Sequence, residues 1–208
     1  MVLNIIKLKK SKELALFLGM FVGDGCLSIK CNGNGYRIYP ISFYNTNRYY
    51  VKLFSKLFLK LFGVAGKIKA RRRCGKLLLW EFEKYSVELY KIINKDFEIF
   101  CGKKATNVKI PSFILNGNKI IKKYFFYGLL ITDGGIRKNG TIIFHLGSRK
   151  LIYGLKNLIK NTFMLDKEVK VYLQNSRFIS YQLNLNKEES SGILSQMPRS
   201  HNLVVRWF

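Results

Sequence analysis

The chain has few of the residues on which several kinds of protein depend. Only 4 of its 208 residues are cysteine: Cys26, Cys31, Cys74 and Cys101, with no CxxC pair among them. A secreted disulfide scaffold is shorter and denser in cysteine, and a structural zinc site needs closely paired ligands. Four reduced thiols in an intracellular protein are therefore expected. Histidine is scarcer still, with 2 residues, His145 and His201, too few for a histidine-based metal centre. Apolar stretches such as Tyr124 to Ile131 fall well short of the roughly 18–20 residues that cross a bilayer. Leu14 to Val22 behind Lys9, Lys10 and Lys12 imitates a signal peptide, but no small-x-small cleavage site follows. The most telling shortage is acid: 12 Asp and Glu stand against 37 Lys and Arg, a net charge of +25.

What is present narrows the class. With 48% hydrophobic and 14% aromatic residues the chain can bury a real core, which excludes disorder as the main state. So large a positive surplus repels itself unless a polyanion is bound, and nucleic acid is the expected partner. Residues up to Val108 hold 21 basic and 7 acidic side chains and the remainder 16 and 5, so the charge is no tail. No lone basic amphipathic helix concentrates it, which argues against a membrane surface. The expected location is the cytoplasm or nucleoid, or an organelle matrix, and not the exterior.

Self-comparison reveals a duplication. Phe17-Leu18-Gly19-Met20-Phe21-Val22-Gly23-Asp24-Gly25 and Phe126-Tyr127-Gly128-Leu129-Leu130-Ile131-Thr132-Asp133-Gly134 share one pattern: two apolar residues, Gly, three apolar residues, a small residue, Asp, Gly. The offset is about half the chain, too long for a solenoid. Each copy is followed by two strand-like runs around an Asn-Gly turn: Cys26 to Cys31 with Tyr36 to Tyr44, and Gly135 to Lys138 with Thr141 to Gly147. A helical pattern (Val51, Phe54, Leu57, Phe58 and Leu61; Leu151, Leu155, Leu158 and Ile159) and a second hairpin come next. The hairpins are Lys67 to Arg73 with Lys76 to Glu83, and Val169 to Gln174 with Arg177 to Asn186. Val87 to Asn94 and Lys187 to about Gln196 close the halves as helices. Each repeat thus reads αββαββα, with domains over 1–108 and 109–208; Pro111 starts the bridge, and Asn116-Gly117-Asn118 ends it.

The repeated segments should carry chemistry. Ala15, Gly19 and Gly23, like Gly128 and Thr132, fall on one helical row, where small residues let two backbones approach. Packed together at a pseudo-twofold axis, the helices bring Asp24 and Asp133 side by side at their last turns. Gly25 and Gly134 suit the left-handed position beyond a helix end. An acid is disfavoured at a helix C-terminus, which already carries partial negative charge. A divalent cation relieves that repulsion, and carboxylates and free carbonyls are the hard oxygen ligands that Mg²⁺ accepts. With nucleic-acid phosphates present, such a site suits metal-assisted phosphodiester hydrolysis.

These paired segments resemble the two motifs of a single-chain LAGLIDADG homing endonuclease. Lys109-Ile110-Pro111-Ser112-Phe113-Ile114-Leu115-Asn116 leading into Phe125-Phe126-Tyr127-Gly128-Leu129 is similar to that family's run-up to its second motif. The resemblance covers nearly the whole chain. It implies an α+β fold in which two αββαββα repeats form a DNA-binding saddle of two antiparallel sheets, with the motif helices at their interface. It also implies a monomer that reads a long, asymmetric site in double-stranded DNA, cuts both strands across the minor groove and leaves 3′ overhangs. Asp24 and Asp133 take the role of catalytic, metal-binding acids, with Gly23 and Thr132 beside them as metal ligands; Mg²⁺ is the expected cofactor and Mn²⁺ its substitute. Phe100-Cys101-Gly102-Lys103-Lys104 matches a family stretch that brings a basic residue near the active site, so Lys103 is the candidate, with Lys104 as its neighbour; Arg199 is the nearest counterpart in the second half. Ser42 and His145 lie near the strand ends where the family places a polar residue that positions water. The same fold serves maturases that assist intron splicing and inactive DNA-binding regulators; intron RNA is the partner under the first alternative. The Met1 start favours a free-standing, intron-encoded enzyme.

Strand alternation marks the expected DNA face. Lys67, Lys69, Arg71 and Arg73 alternate with Ile68 and Ala70, and Ser28 and Lys30 with Leu27, Ile29 and Cys31. In the second half Lys170, Tyr172 and Gln174 alternate with Val169, Val171 and Leu173, as Ser180, Gln182 and Asn184 do with Ile179, Tyr181 and Leu183. Arg and Lys suit guanine edges and phosphates, and Gln and Asn suit adenine. Arg37, Lys76, Lys138, His145 and Arg177 complete the candidate DNA contacts. The first face is the more cationic and is expected to dominate salt-dependent affinity. Trp80 reads as core, and Leu203 to Phe208 as a strap over the second half.

Overall fold

A computed structural model of the protein describes residues 8, 9, 11–74, 76–102, 106–174 and 178–197, apart from the side chains of Arg73, Leu173, Gln174 and Phe178. Its first half runs α1 (Lys12–Asp24), β1 (Gly25–Leu27), β2 (Lys30–Cys31), β3 (Arg37–Ile38), β4 (Pro40–Asn45), α2 (Arg48–Phe62), β5 (Lys67–Arg73), β6 (Lys76–Tyr85) and α3 (Val87–Lys91), the last continuing as a π-turn over Ile92–Asp96. A short helix α4 (Ser112–Leu115) leads into α5 (Lys119–Asp133), β7 (Gly134–Ile136), β8 (Ile142–Leu146), α6 (Arg149–Phe163), β9 (Val169–Gln174), β10 (Phe178–Leu185) and α7 (Lys187–Leu194). Two four-stranded antiparallel sheets result, in the orders β1-β4-β6-β5 and β7-β8-β10-β9. The two orders are the same path drawn twice, so the fold is α+β with an internal repeat.

Local sequence accounts for the boundaries. Ser11 starts α1 by accepting from the Leu14 N–H at 3.0 Å, Asn47 caps α2, and Asn118 caps α5 through the Ile121 N–H. Each side-chain oxygen satisfies a donor that the first turn leaves unpaired. Gly63 ends α2 at φ 69°, where a residue without Cβ suffers no strain. The first hairpin departs from expectation. It breaks after Leu27, and β2 and β3 pair with each other as a separate ribbon.

The core forms one continuous cluster. Residues Leu14 to Val22 are buried on every side of α1, as expected of a helix that is apolar all round and lies at the centre of the molecule. Phe43 stacks on Phe54 with ring centroids 4.3 Å apart, and Phe17 meets Phe54 at 4.8 Å, joining β4, α2 and α1. Phe43 lies opposite Phe82 across the first sheet, and Phe144 opposite Leu183 across the second. Those faces turn to the helices; the other face of each sheet is open.

The contact that joins the repeats is between backbones. A Cβ on Gly19 would lie 2.9 Å from the Gly128 Cα, and a Cβ on Gly128 would lie 2.9 Å from the Gly19 Cα. Val108 extends the union, accepting from the Ser148 hydroxyl at 2.6 Å and tying the bridge to the start of α6. Among the described residues, no helix is long and apolar enough to cross a membrane. The Gly19–Gly128 contact predicts that Gly19→Ala and Gly128→Ala each cost about 1–3 kcal/mol by overpacking. In urea unfolding the double variant should cost less than the two single effects combined, because one separation of the helices relieves both.

Candidate functional site

Past the Gly19–Gly128 contact the two central helices stay close to their ends. A Cβ on Gly23 would lie 2.6 Å from the Thr132 Cβ and 3.4 Å from the Asp133 Cγ, so the two last turns meet with both aspartates half-buried beside them. Thr132 spends its hydroxyl on its own helix, donating to the Gly128 and Leu129 carbonyls at 3.1 Å. With its hydroxyl proton so engaged, its backbone carbonyl is the more available hard oxygen ligand. Gly25 and Gly134 differ from the expected left-handed caps. Both are extended, at φ −79° and −88°, because each helix passes straight into a strand. Glycine is required there for space: a Cβ would lie 2.5 Å from the Phe21 carbonyl oxygen at Gly25, and 2.6 Å from that of Leu130 at Gly134.

A residue missed in the sequence organises the first acid. Asn45, buried at the end of β4, donates from Nδ2 to Asp24 Oδ2 at 2.6 Å, while its Oδ1 accepts from the Asn47 N–H at 2.8 Å. Asp24 is thus tied through Asn45 to the residue that caps α2. Ser42, the polar candidate of this strand, lies inside β4 opposite Cys26 and is buried. With Phe43 opposite Gly25 and Phe144 opposite Gly134, Asn45 corresponds to Leu146, which is apolar and buried. The surroundings of the two acids are therefore unequal. The Asn-Thr-Asn run was the available signal, but strand length and register had to be known to use it.

The open face of the first sheet carries its own countercharge. Lys69 Nζ lies 2.5 Å from Glu83 and 3.6 Å from Glu81, and Arg71 makes two hydrogen bonds to Glu81, which is fully buried. The cationic strand is thus partly neutralised from within the sheet. Alternation brings Glu81 and Glu83 to the same face as Lys69 and Arg71: Glu81 lies directly opposite Lys69, and Lys69 reaches Glu83, as Arg71 reaches Glu81, diagonally across the strands. A register shift between Arg71 and Arg72 also ends the simple alternation before Arg73. Burial pushes the Glu83 carboxyl up, but hydrogen bonds from Lys69 and Tyr85 outweigh it and hold its pKa below the usual value. The bond to Glu83 raises Lys69 in turn. Lys67, Lys30, Arg37 and Lys76 are exposed, and Ser28 is half-buried where the first hairpin breaks.

The second sheet presents mostly neutral groups. His145 Nε2 is 2.8 Å from the Ser180 hydroxyl and its ring is edge-on to Tyr172. Gln182 lies between His145 and Lys170 and donates to Asn184 at 2.8 Å. Lys138 is exposed in the turn after β7. Trp80 is half-buried against the core, with the Arg48 guanidinium 4.4 Å from its ring centroid. Lys103, Lys104, Arg177, Arg199, His201 and the segment from Leu203 to Phe208 lie outside the described residues, as do the side chains of Arg73 and Gln174.

Residues 11–102 match the LAGLIDADG-like domain. The structure of I-DmoI in complex with DNA and Mn covers 95% of this chain, and 99% of its own, with a TM-score of 0.65 at 18% identity. The chain has the fold of that two-repeat protein, and its first repeat matches the LAGLIDADG-like domain. The homing endonuclease I-WcaI bound to its DNA recognition sequence is also similar, with a TM-score of 0.58 at 15% identity over 99% of this chain and 93% of that one. A DNA polymerase from Thermococcus sp. (strain GE8) is 25% identical over 150 residues, 72% of this chain but only 8% of the polymerase.

The described residues include no group of three or more His, Cys, Asp or Glu side chains able to hold a metal by themselves. Two carboxylates with neighbouring carbonyls do fit a hard divalent cation that takes its remaining ligands from phosphate and water. The Lys69–Glu83 pair predicts an acid-dependent term in stability. A carboxyl whose folded pKa is lowered contributes fully above its unfolded pKa, and the contribution is lost as pH falls through the folded value. Lys69→Met should therefore flatten the fall in stability below about pH 5, read as urea midpoints against pH.

Proposed function

We propose that this protein is a site-specific double-strand DNA endonuclease of the homing type. The observation that carries the reading is the meeting of two helix C-termini, each ending in an aspartate, between two open-faced sheets of a protein with net charge +25. The sheets suit the major groove on either side of the cutting point, the first through Lys67, Lys69 and Arg71 and the second through His145, Lys170, Tyr172 and Gln182. That arrangement leaves the minor groove over the two acids, and cutting one phosphodiester per strand across it leaves 3′ overhangs.

Asp24 and Asp133, with the Gly23 and Thr132 carbonyls, would hold the divalent cation, Mg²⁺ or Mn²⁺ in its place. Bound there, it supplies Lewis-acid polarisation of the phosphate and a more acidic water. The chain supplies position. Asn45 holds Asp24 in one orientation, the Gly19–Gly128 contact holds the acids together, and Lys103 is the proposed basic residue at the leaving oxygen. Two repeats in one chain make a monomer competent to read an asymmetric site in double-stranded DNA.

The test is selection of cleavable sequences from a plasmid library of long random duplexes, with Mg²⁺ and with EDTA. Wild type should give metal-dependent double-strand cuts enriched for one long sequence, while Asp24→Asn and Asp133→Asn each lower cutting by about 100-fold or more. Absence of cutting under every metal condition, with duplex binding intact, would refute the catalytic assignment. Because Leu146 stands where the first repeat has Asn45, Asn45→Ala should slow the strand served by Asp24 selectively. Nicked plasmid would then accumulate in a time course where wild type yields linear product.

A further inference from the structure

The cationic surplus is not concentrated on the sheets. On α2, Lys52, Lys56 and Lys60 recur every fourth residue and are all exposed, which sets them in a row about 6 Å apart. Val51, Phe54, Leu57, Phe58 and Leu61, which pack into the core, lie on the opposite side of the helix, so the row faces solvent. Asn45 and Asn47 place the start of α2 beside Asp24, while Lys60 at its far end pairs at 2.8 Å with Glu13 in the first turn of α1. Between the two helices lies a groove of about 320 Å³, rimmed by Lys12, Lys56 and Lys60, floored by Leu16, Leu53 and Leu57 and closed by Tyr124.

The charge balance of this face is uneven in a way the sheet face is not. Among the described residues, Lys52 and Lys56 make no ion pair, and Glu13 is the carboxylate paired with Lys60. On α6 of the second repeat, Lys156 and Lys160 share a carboxylate: Asp166 lies 3.7 Å from Lys156 and 2.6 Å from Lys160. On the first sheet Lys69 and Arg71 are held by Glu81 and Glu83. A row in which Lys52 and Lys56 are uncompensated, with Lys12 across the groove, is matched by a regular line of anions, and a nucleic-acid strand presents its phosphates at a comparable spacing. No fixed fork of donors is built there to read bases, so recognition would be of the backbone alone.

We propose that α2 and the head of α1 form a second, sequence-independent binding surface for the phosphate backbone of duplex DNA, on the helical side of the protein and not on the open faces of the sheets. One protein molecule would then hold two duplex segments at once, one in the saddle and one on its helical back.

The proposal is tested in EDTA with the full chain and a 30-base-pair random-sequence duplex, so that it stands or falls apart from the nuclease reading. At low salt, sedimentation should show one protein with two duplexes. The triple variant Lys52→Gln/Lys56→Gln/Lys60→Gln should bind one, with the first affinity changed less than about threefold. Lys56→Gln alone should lower the salt slope of the second binding event by about 1. These side chains are exposed, and an unchanged circular dichroism melt would confirm folding. A wild-type stoichiometry of one duplex, retention of the second duplex by the triple variant, or a species holding two proteins and two duplexes would each overturn it. So would displacement of the second duplex by an RNA hairpin that binds more tightly there.

Discussion

The contact between Gly19 and Gly128 is the constraint from which the rest of the molecule follows. With a Cβ excluded on both sides, the two central helices pack backbone to backbone and must end together. Two helix C-termini and two carboxylates are thereby placed at one point, an arrangement with unfavourable electrostatics in the isolated protein. A duplicated apolar helix is a sound structural joint, but nothing in that joint requires an acid at both ends. The aspartates are understandable as a site that a cation and phosphates complete, and the packing of α1 on α5 holds them ready for it.

Electrostatics divides the surface in an unexpected way. The strand richest in cations, β5, faces two glutamates on β6, one of them fully buried beneath Arg71. A buried carboxylate stapled to a guanidinium is rigid and directional, which suits recognition by shape and hydrogen bonding better than attraction at a distance. Under the proposed function, attraction is left to exposed lysines elsewhere, including the row on α2, and affinity and discrimination would draw on different residues, as where phosphate contacts position a duplex and base contacts specify it.

The two repeats share one topology but not one chemistry. Asn45 supports Asp24, and the corresponding position beside Asp133 is Leu146. The first sheet is a charged lattice of Lys69, Arg71, Glu81 and Glu83, whereas the second is a hydrogen-bonded row around His145, Ser180 and Gln182. Fusion of the repeats in one chain allows such divergence, since each half can adjust to one side of an asymmetric partner. A symmetric dimer of one repeat would have to serve both sides with identical residues.

Much of the architecture was legible in the sequence because its signals are local. The Gly-and-Asp pattern at Gly19 to Gly25 and Gly128 to Gly134 announced the duplication, Asn-Gly turns and period-two runs marked the hairpins, and the apolar spacing on α2 and α6 marked the helices. Those features depend on neighbours a few residues away. The tertiary structure alone decided what depends on distant partners. Gly25 and Gly134 proved to be extended, because the strand that follows each helix leaves no room for a side chain. Asn45 reached Asp24 only once β4 had its register, and Glu81 and Glu83 compensated β5 only because antiparallel pairing set them opposite and diagonal to Lys69 and Arg71. Residue types and periodicity were enough to pair Asp24 with Asp133 at the ends of two helices that the structure brings together. Which charges remain free to act, and which are already spent inside the protein, is settled by cross-strand and interhelical neighbours that no single stretch of sequence contains.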